Sequence, residues 1–201
     1  MFRTQRRTAM KVRNGRVQRK NRHAKTPHYF HTEMASLVID RQRPGAGCRH
    51  VVRKEHVRRF VLLLPEWNEL SRGLNAIVLA NGNSDCMGWH HPGVVAICAW
   101  DRELAWSDCY PSFFAEHAGV FEALALPYEV AEQRISVLFT EATARAFSLI
   151  HVLVHELGHH HDRMTTRSQR DSCRGEAYAE DYARQFQDLI VARYRKEFGD
   201  I

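Results

Sequence analysis

The chain has 201 residues, of which 44% are hydrophobic, 10% aromatic and 26% charged, with a formal net charge of +6. A chain of this size can bury a core without disulfide or metal staples, and the composition excludes collagen-like, wholly disordered and disulfide-scaffold proteins. Apolar runs such as 60–64 are far too short to cross a bilayer, and the basic start lacks the apolar stretch of a secretory signal. Cys48, Cys86, Cys98, Cys109 and Cys173 stand at wide, irregular spacings with no C-x-x-C pair. This predicts free thiols, a reducing compartment and a cytoplasmic location.

Charge is divided unevenly. Residues 1–59 carry 17 Lys or Arg against Glu33, Asp40 and Glu55, a net of +14, while the rest of the chain carries a net of −8. Residues 1–25 hold ten basic residues and no acid. They have too little apolar surface to offset their ordering entropy, so they read as a disordered arm. Phosphate neutralisation would let such an arm hold a polyanion weakly. A solvated tail is the plainer reading, because no aromatic or glycine interleaving accompanies the charge. Residues 26–47 read as an ill-defined linker closing on the turn-rich RQRPGAG, which leaves 48–201 as the folded domain.

Three apolar segments then have strand character: 59–64 (RFVLLL), stopped by Pro65; 75–80 (NAIVLA), stopped by the turn NGN; and 93–99 (GVVAICA), rich in β-branched residues. PEWNELSRG, between the first two, reads as a short helical turn. Residues 113–126 are alanine-rich and predict a helix that ends before Pro127. A longer helix starts at Glu141, with Thr140 suited to cap it and Glu141 to the positive end of its dipole. Ala146, Phe147, Leu149, Ile150, Val152, Leu153, Val154 and Leu157 make it apolar nearly all the way round, the mark of a buried central helix. After a polar connector at 165–174, a last helix over 175–198 places Tyr178, Tyr182, Phe186, Ile190 and Tyr194 on one packing face.

The chemistry is concentrated in these two helices. His155, Glu156 and His159 form an H-E-x-x-H motif on the buried helix. Residues four apart lie one above the other on a helix, so both imidazoles can reach one ion. Glu156, about 100° round from His155, projects beside that ion, where it can handle an activated water. Polar groups on so apolar a helix are costly unless something satisfies them, and a metal ion does. Catalytic zinc wants three protein ligands and one open position. Either Glu176 or Glu180, one turn apart at the start of the last helix, could close the site.

The two motifs together resemble the gluzincin metallopeptidases, zincins whose third zinc ligand is a glutamate on a following helix. In that clan the second motif reads E-x-x-A-D or E-x-x-x-D, the first Glu binding the metal and the acid four residues on supporting a ligand. Here it reads E-A-Y-A-E, with Glu180 where Asp is more usual. That departure leaves the roles of Glu176 and Glu180 exchangeable. HELGHHHD is also similar to the small intracellular minimal zincins, whereas residues 1–130 carry no resemblance.

The resemblance implies an α+β, zincin-like fold: a small, mostly antiparallel sheet, a buried active-site helix and a following glutamate-bearing helix. It also implies one Zn2+ held by His155, His159 and Glu176, with Glu156 as general base and Glu180 as a supporting carboxylate or alternative ligand. The expected activity is hydrolysis of peptide bonds in a peptide or protein substrate, with no membrane partner. The alternative is a non-catalytic zinc-binding regulatory or structural module tethered to nucleic acid or a partner by the basic arm. The fourth coordination position separates the two, being open to water in an enzyme and filled by a side chain in a structural site.

Other residues carry weaker signals. His151, one turn before His155, either orients the site or is a structural histidine, the latter being the plainer reading. One of His160, His161 and Asp162 is expected to support a ligand imidazole through its other ring nitrogen. Segment 88–92 (GWHHP) borders the cleft by analogy with zincins, as a source of a transition-state donor or merely as a turn. Cys173 reads as a bystander thiol, and Tyr178 and Tyr182 as core.

Overall fold

The computed structural model describes residues 28–82, 86–131, 134–167, 173–199 and 201, together with the backbone of 12–13 and 16–17. The basic arm at 1–25 therefore lies outside the described residues, apart from an antiparallel pairing of Val12–Arg13 with Arg16–Val17. So does 168–172 of the connector. Among the described residues no helix is long and apolar enough to cross a membrane.

The class is α+β. In chain order the main elements are β1 (Val38–Arg41), α1 (Lys54–Val61), β2 (Ala76–Ala80), β3 (Gly88–His91), β4 (Val94–Cys98) and β5 (Ala105–Cys109). Then come α2 (Pro111–Ala123), β6 (Tyr128–Ala131), β7 (Arg134–Leu138), α3 (Glu141–Phe147), a π-helical segment (Ser148–Leu153), α4 (Val154–Thr165), α5 (Gly175–Gln185) and α6 (Gln187–Phe198).

The sheet beneath the site has the order β1-β2-β4-β3. β1, β2 and β4 run parallel, and only the edge strand β3 is antiparallel, pairing His90 with Val95 and Gly88 with Ile97. The expectation of a mostly antiparallel sheet does not hold for this layer. The reason is two-sided burial: every residue of β2 and β4 is buried, the pattern of strands covered on both faces. Among the described residues, antiparallel pairing is confined to the edge strand, two short pairings and a separate sheet of order β6-β7-β5.

Two further expectations need correcting. Residues 59–64 do not form a strand, because Val57, Phe60 and Val61 are buried at helical spacing within α1. The folded unit also begins before residue 48, since Tyr29 is buried and β1 pairs with β2. The helical turn after Pro65 (Trp67–Leu70), the strands β2 and β4, and α2 stand where the sequence puts them.

α3, the π segment and α4 run as one continuous helical rod. Thr140 caps its start, its Oγ1 accepting a hydrogen bond from the Thr143 N–H at 3.1 Å. Ala144, Ala146, Phe147, Leu149, Ile150, Leu153, Val154 and Leu157 are all buried, so the rod passes through the core. The final helix is two helices, α5 and α6, meeting at Phe186. Most of its aromatic face packs as expected, with Ile190 and Tyr194 buried and Tyr182 and Phe186 against the same core, whereas Tyr178, expected in the core, lies outside it against His161.

Candidate metal centre

Two features bring α5 onto α4. Gly158 has no side chain, and a Cβ there would lie 2.9 Å from the Ala179 Cα and 3.1 Å from both the Ala179 carbonyl oxygen and the Tyr182 Cβ. Backbone therefore meets backbone at this crossing, closer than any side chain would allow. At the end of α4, the fully buried Asp162 carboxylate accepts from the Arg174 backbone N–H and Nε at 2.7 Å each, and from the Gly175 N–H at 3.3 Å. Asp162 thus ties the chain entering α5 to α4 and sets which turn of α5 faces the histidines.

The side chains that result are close together. His155 Nε2 lies 3.2 Å from Glu176 Oε2, and His159 Nε2 lies 3.4 Å from Glu176 Oε1. Ligand atoms of the three residues all fall within 4.8 Å of one another. Donors sharing a tetrahedral zinc at ordinary bond lengths sit about 3.3 Å apart, so the donor types and the two separations between histidine and Glu176 suit such an ion. On its other side, the His155 Nδ1–H donates to Glu180 Oε2 at 3.1 Å, which leaves Nε2 to face the cleft. The two glutamates thus occupy different places, Glu176 on the Nε2 side and Glu180 on the Nδ1 side.

Charge is balanced around these groups. Burial works to lower the His155 pKa, but the Glu180 hydrogen bond and the charges of Glu156, Glu180 and Glu176 prevail, and the net shift is upward. His159 moves down, chiefly by burial. Burial alone would raise Glu180, yet His155, His151, His117 and Arg184 hold its carboxyl below the ordinary range.

Glu156 points into the same cleft, of about 290 Å³, lined by Gly88, Trp89, His90, His155, His159 and Glu176. It is 7% exposed, and burial raises its pKa to about 7, with His155 opposing and Glu176 reinforcing the shift. The edge strand leaves room for it only through Gly88, where a Cβ would lie 2.6 Å from Glu156 Oε1. Segment 88–92 is therefore largely an edge strand bordering the cleft and not merely a turn. The next residue but one, His90, lies with its ring 6.0 Å from that of His159. His90 Nε2 and His159 Nδ1 are both buried without a hydrogen-bond partner.

None of His160, His161 and Asp162 supports a ligand imidazole. Each is engaged elsewhere: His160 Nε2 with the Arg72 carbonyl at 2.9 Å, His161 Nδ1 with the Tyr178 hydroxyl at 2.7 Å, and Asp162 with Arg174. His161 and Asp162 meet α5 one turn beyond the ligand histidines, at Tyr178 and Gly175, and Glu180 supplies the support instead. Tyr182 packs against the core, Tyr178 stacks on His161, and Cys173 is exposed. His151 is buried, its Nε2 3.6 Å from Glu180 Oε2. His117, which no sequence motif singled out, joins His151 and Glu180 from α2. Thirty-four positions separate it from His151, and no local spacing could have flagged it.

No family model, curated protein or solved structure matches this chain.

Proposed function

We propose that the protein is a zinc-dependent, metallopeptidase-like hydrolase of zincin-like fold, acting on peptide bonds of a peptide or protein substrate. The observation that carries this reading is a single cleft in which Glu156 stands beside three convergent donors, His155, His159 and Glu176. These three would hold the ion, and zinc there would supply Lewis-acid polarisation of a carbonyl and a water of lowered pKa.

The chain's own residues supply the rest. Glu156 accepts a proton at its carboxylate and returns it to the leaving amine, and a pKa near neutrality suits both duties. Glu180 holds the His155 ring by its Nδ1–H, so the Nε2 lone pair stays aimed at the cleft. Among the described residues no strand pairs with the outer edge of β3 next to the cleft, and an extended peptide laid along it would gain backbone hydrogen bonds. Among the described residues no fourth donor is grouped with these three, so a tetrahedral ion would keep a position for water, which favours an enzyme over a structural zinc module.

The test is zinc-loaded protein incubated with unfolded casein, next to Glu156→Gln. The variant is expected to keep its zinc and to lose cleavage by roughly 10²- to 10⁴-fold. An unchanged rate in the variant, or the absence of stoichiometric metal in the parent, would refute the reading.

A further inference from the structure

We propose that His117, His151 and Glu180 form a second divalent-metal site, adjoining the H-E-x-x-H cleft through Glu180 and selective for ions that prefer imidazole, such as zinc, cobalt or nickel. Three elements contribute one buried residue each: α2 gives His117 (8% exposed), the π segment His151 (5%) and α5 Glu180 (7%). A ligand atom of each lies within 4.8 Å of the other two. Two imidazoles and a carboxylate turned toward one point in a core are costly unless something satisfies them.

The local bonding suits ligands better than a closed hydrogen-bond network. The His117 Nδ1–H donates to the Phe113 carbonyl at 2.8 Å, which leaves Nε2 a free lone pair. Ligating histidines are commonly oriented in this way, through a backbone carbonyl on the far nitrogen. His151 Nε2 is 3.6 Å from Glu180 Oε2, too far for a hydrogen bond. It is close to the spacing of about 3.3 Å expected for two donors on one ion.

Glu180 has room for a cation. Arg184 lies 3.1 Å from Oε1, and the His155 Nδ1–H bonds Oε2. Two contacts do not exhaust the four lone-pair directions of a carboxylate. A cavity of about 540 Å³ lies over the group, lined also by Arg184, Gln187 and Asp188, and gives access for the ion and space for water ligands.

The donors also decide which ion. One carboxylate beside two imidazoles is a poor match for calcium or magnesium, which take oxygen ligands. Imidazole nitrogens favour the borderline first-row ions instead. The π-helical segment that carries His151 is a local irregularity of the kind found at functional sites.

The experiment counts metal in untagged, full-length chain that has been stripped and dialysed against zinc. The parent is expected to bind two equivalents, His117→Phe one, His159→Gln one, and the double variant none. Where His117→Phe does not fold, His117→Gln takes its place. A parent and a His117 variant with the same metal content would overturn the second site. Loss of one equivalent in the His117 variant but none in His159→Gln would uphold it while refuting the reading of the H-E-x-x-H cleft.

Discussion

Gly158 and Ala179 are in backbone contact across the α4–α5 crossing: a single added methyl at 158 would lie 2.9 Å from the Ala179 Cα. The glycine inside the H-E-x-x-H motif is thus the reason that a glutamate from the next helix reaches the histidines.

Gly158→Ala should accordingly push α5 away. Overpacking of this kind costs about 1–3 kcal/mol, read as a shift in the urea midpoint. Because Glu176 moves with α5, zinc affinity should fall at least tenfold in a chelator competition.

Gly88→Ala should separate binding from chemistry. The new Cβ would lie 2.6 Å from Glu156 Oε1 and also 2.8 Å from Val152 Cγ1 and 2.9 Å from the Ala96 carbonyl, so the easiest relief is displacement of the Glu156 carboxylate. Metal content measured after dialysis should be unchanged, while cleavage should drop by roughly 10²-fold or more.

What the sequence makes legible is what lies within a helical turn. His155 and His159 share a face by spacing alone, and Glu176 and Glu180 announce the next helix. Their order around His155 does not follow from spacing, because it depends on the Gly158 crossing and the Asp162 tie between helices. RFVLLL misleads because a run of five apolar residues hides a period that begins at Val57, upstream of the run. The parallel sheet is legible in hindsight from the unbroken apolar strands β2 and β4. β6 is not, since all four of its residues are exposed and carry no buried face.

Asp162 should make the metal-free fold sensitive to acid. Burial alone would raise its pKa, but hydrogen bonds from Arg174 and the Gly175 N–H prevail and hold the carboxyl below the ordinary range. A group with a depressed folded-state pKa stabilises the protein above its unfolded pKa, and that contribution is lost as the pH falls through the folded value. Asp162→Asn should cost roughly 2 kcal/mol at neutral pH and flatten the stability profile on the acid side, as measured by denaturation from pH 7 down to pH 3. An unchanged acid limb would remove the Asp162 tie from the account.

Glu176 and Glu180 should differ when substituted. Glu176→Ala removes a ligand and should abolish tight zinc binding at the cleft. Glu180→Gln keeps an oxygen that can accept from the His155 Nδ1–H, and should weaken binding there only about 10- to 100-fold. Zinc titration of both variants in the His117→Phe background isolates the cleft. Equal losses would mean that the two carboxylates share one role.

The most direct measurement is a crystal structure of the zinc-loaded protein. One ion is expected in the cleft, with His155 Nε2, His159 Nε2 and a Glu176 oxygen at about 2.0–2.2 Å and water in the fourth position. Zinc absent from that cleft, or a fourth position filled by His90 or any other side chain, would contradict that expectation.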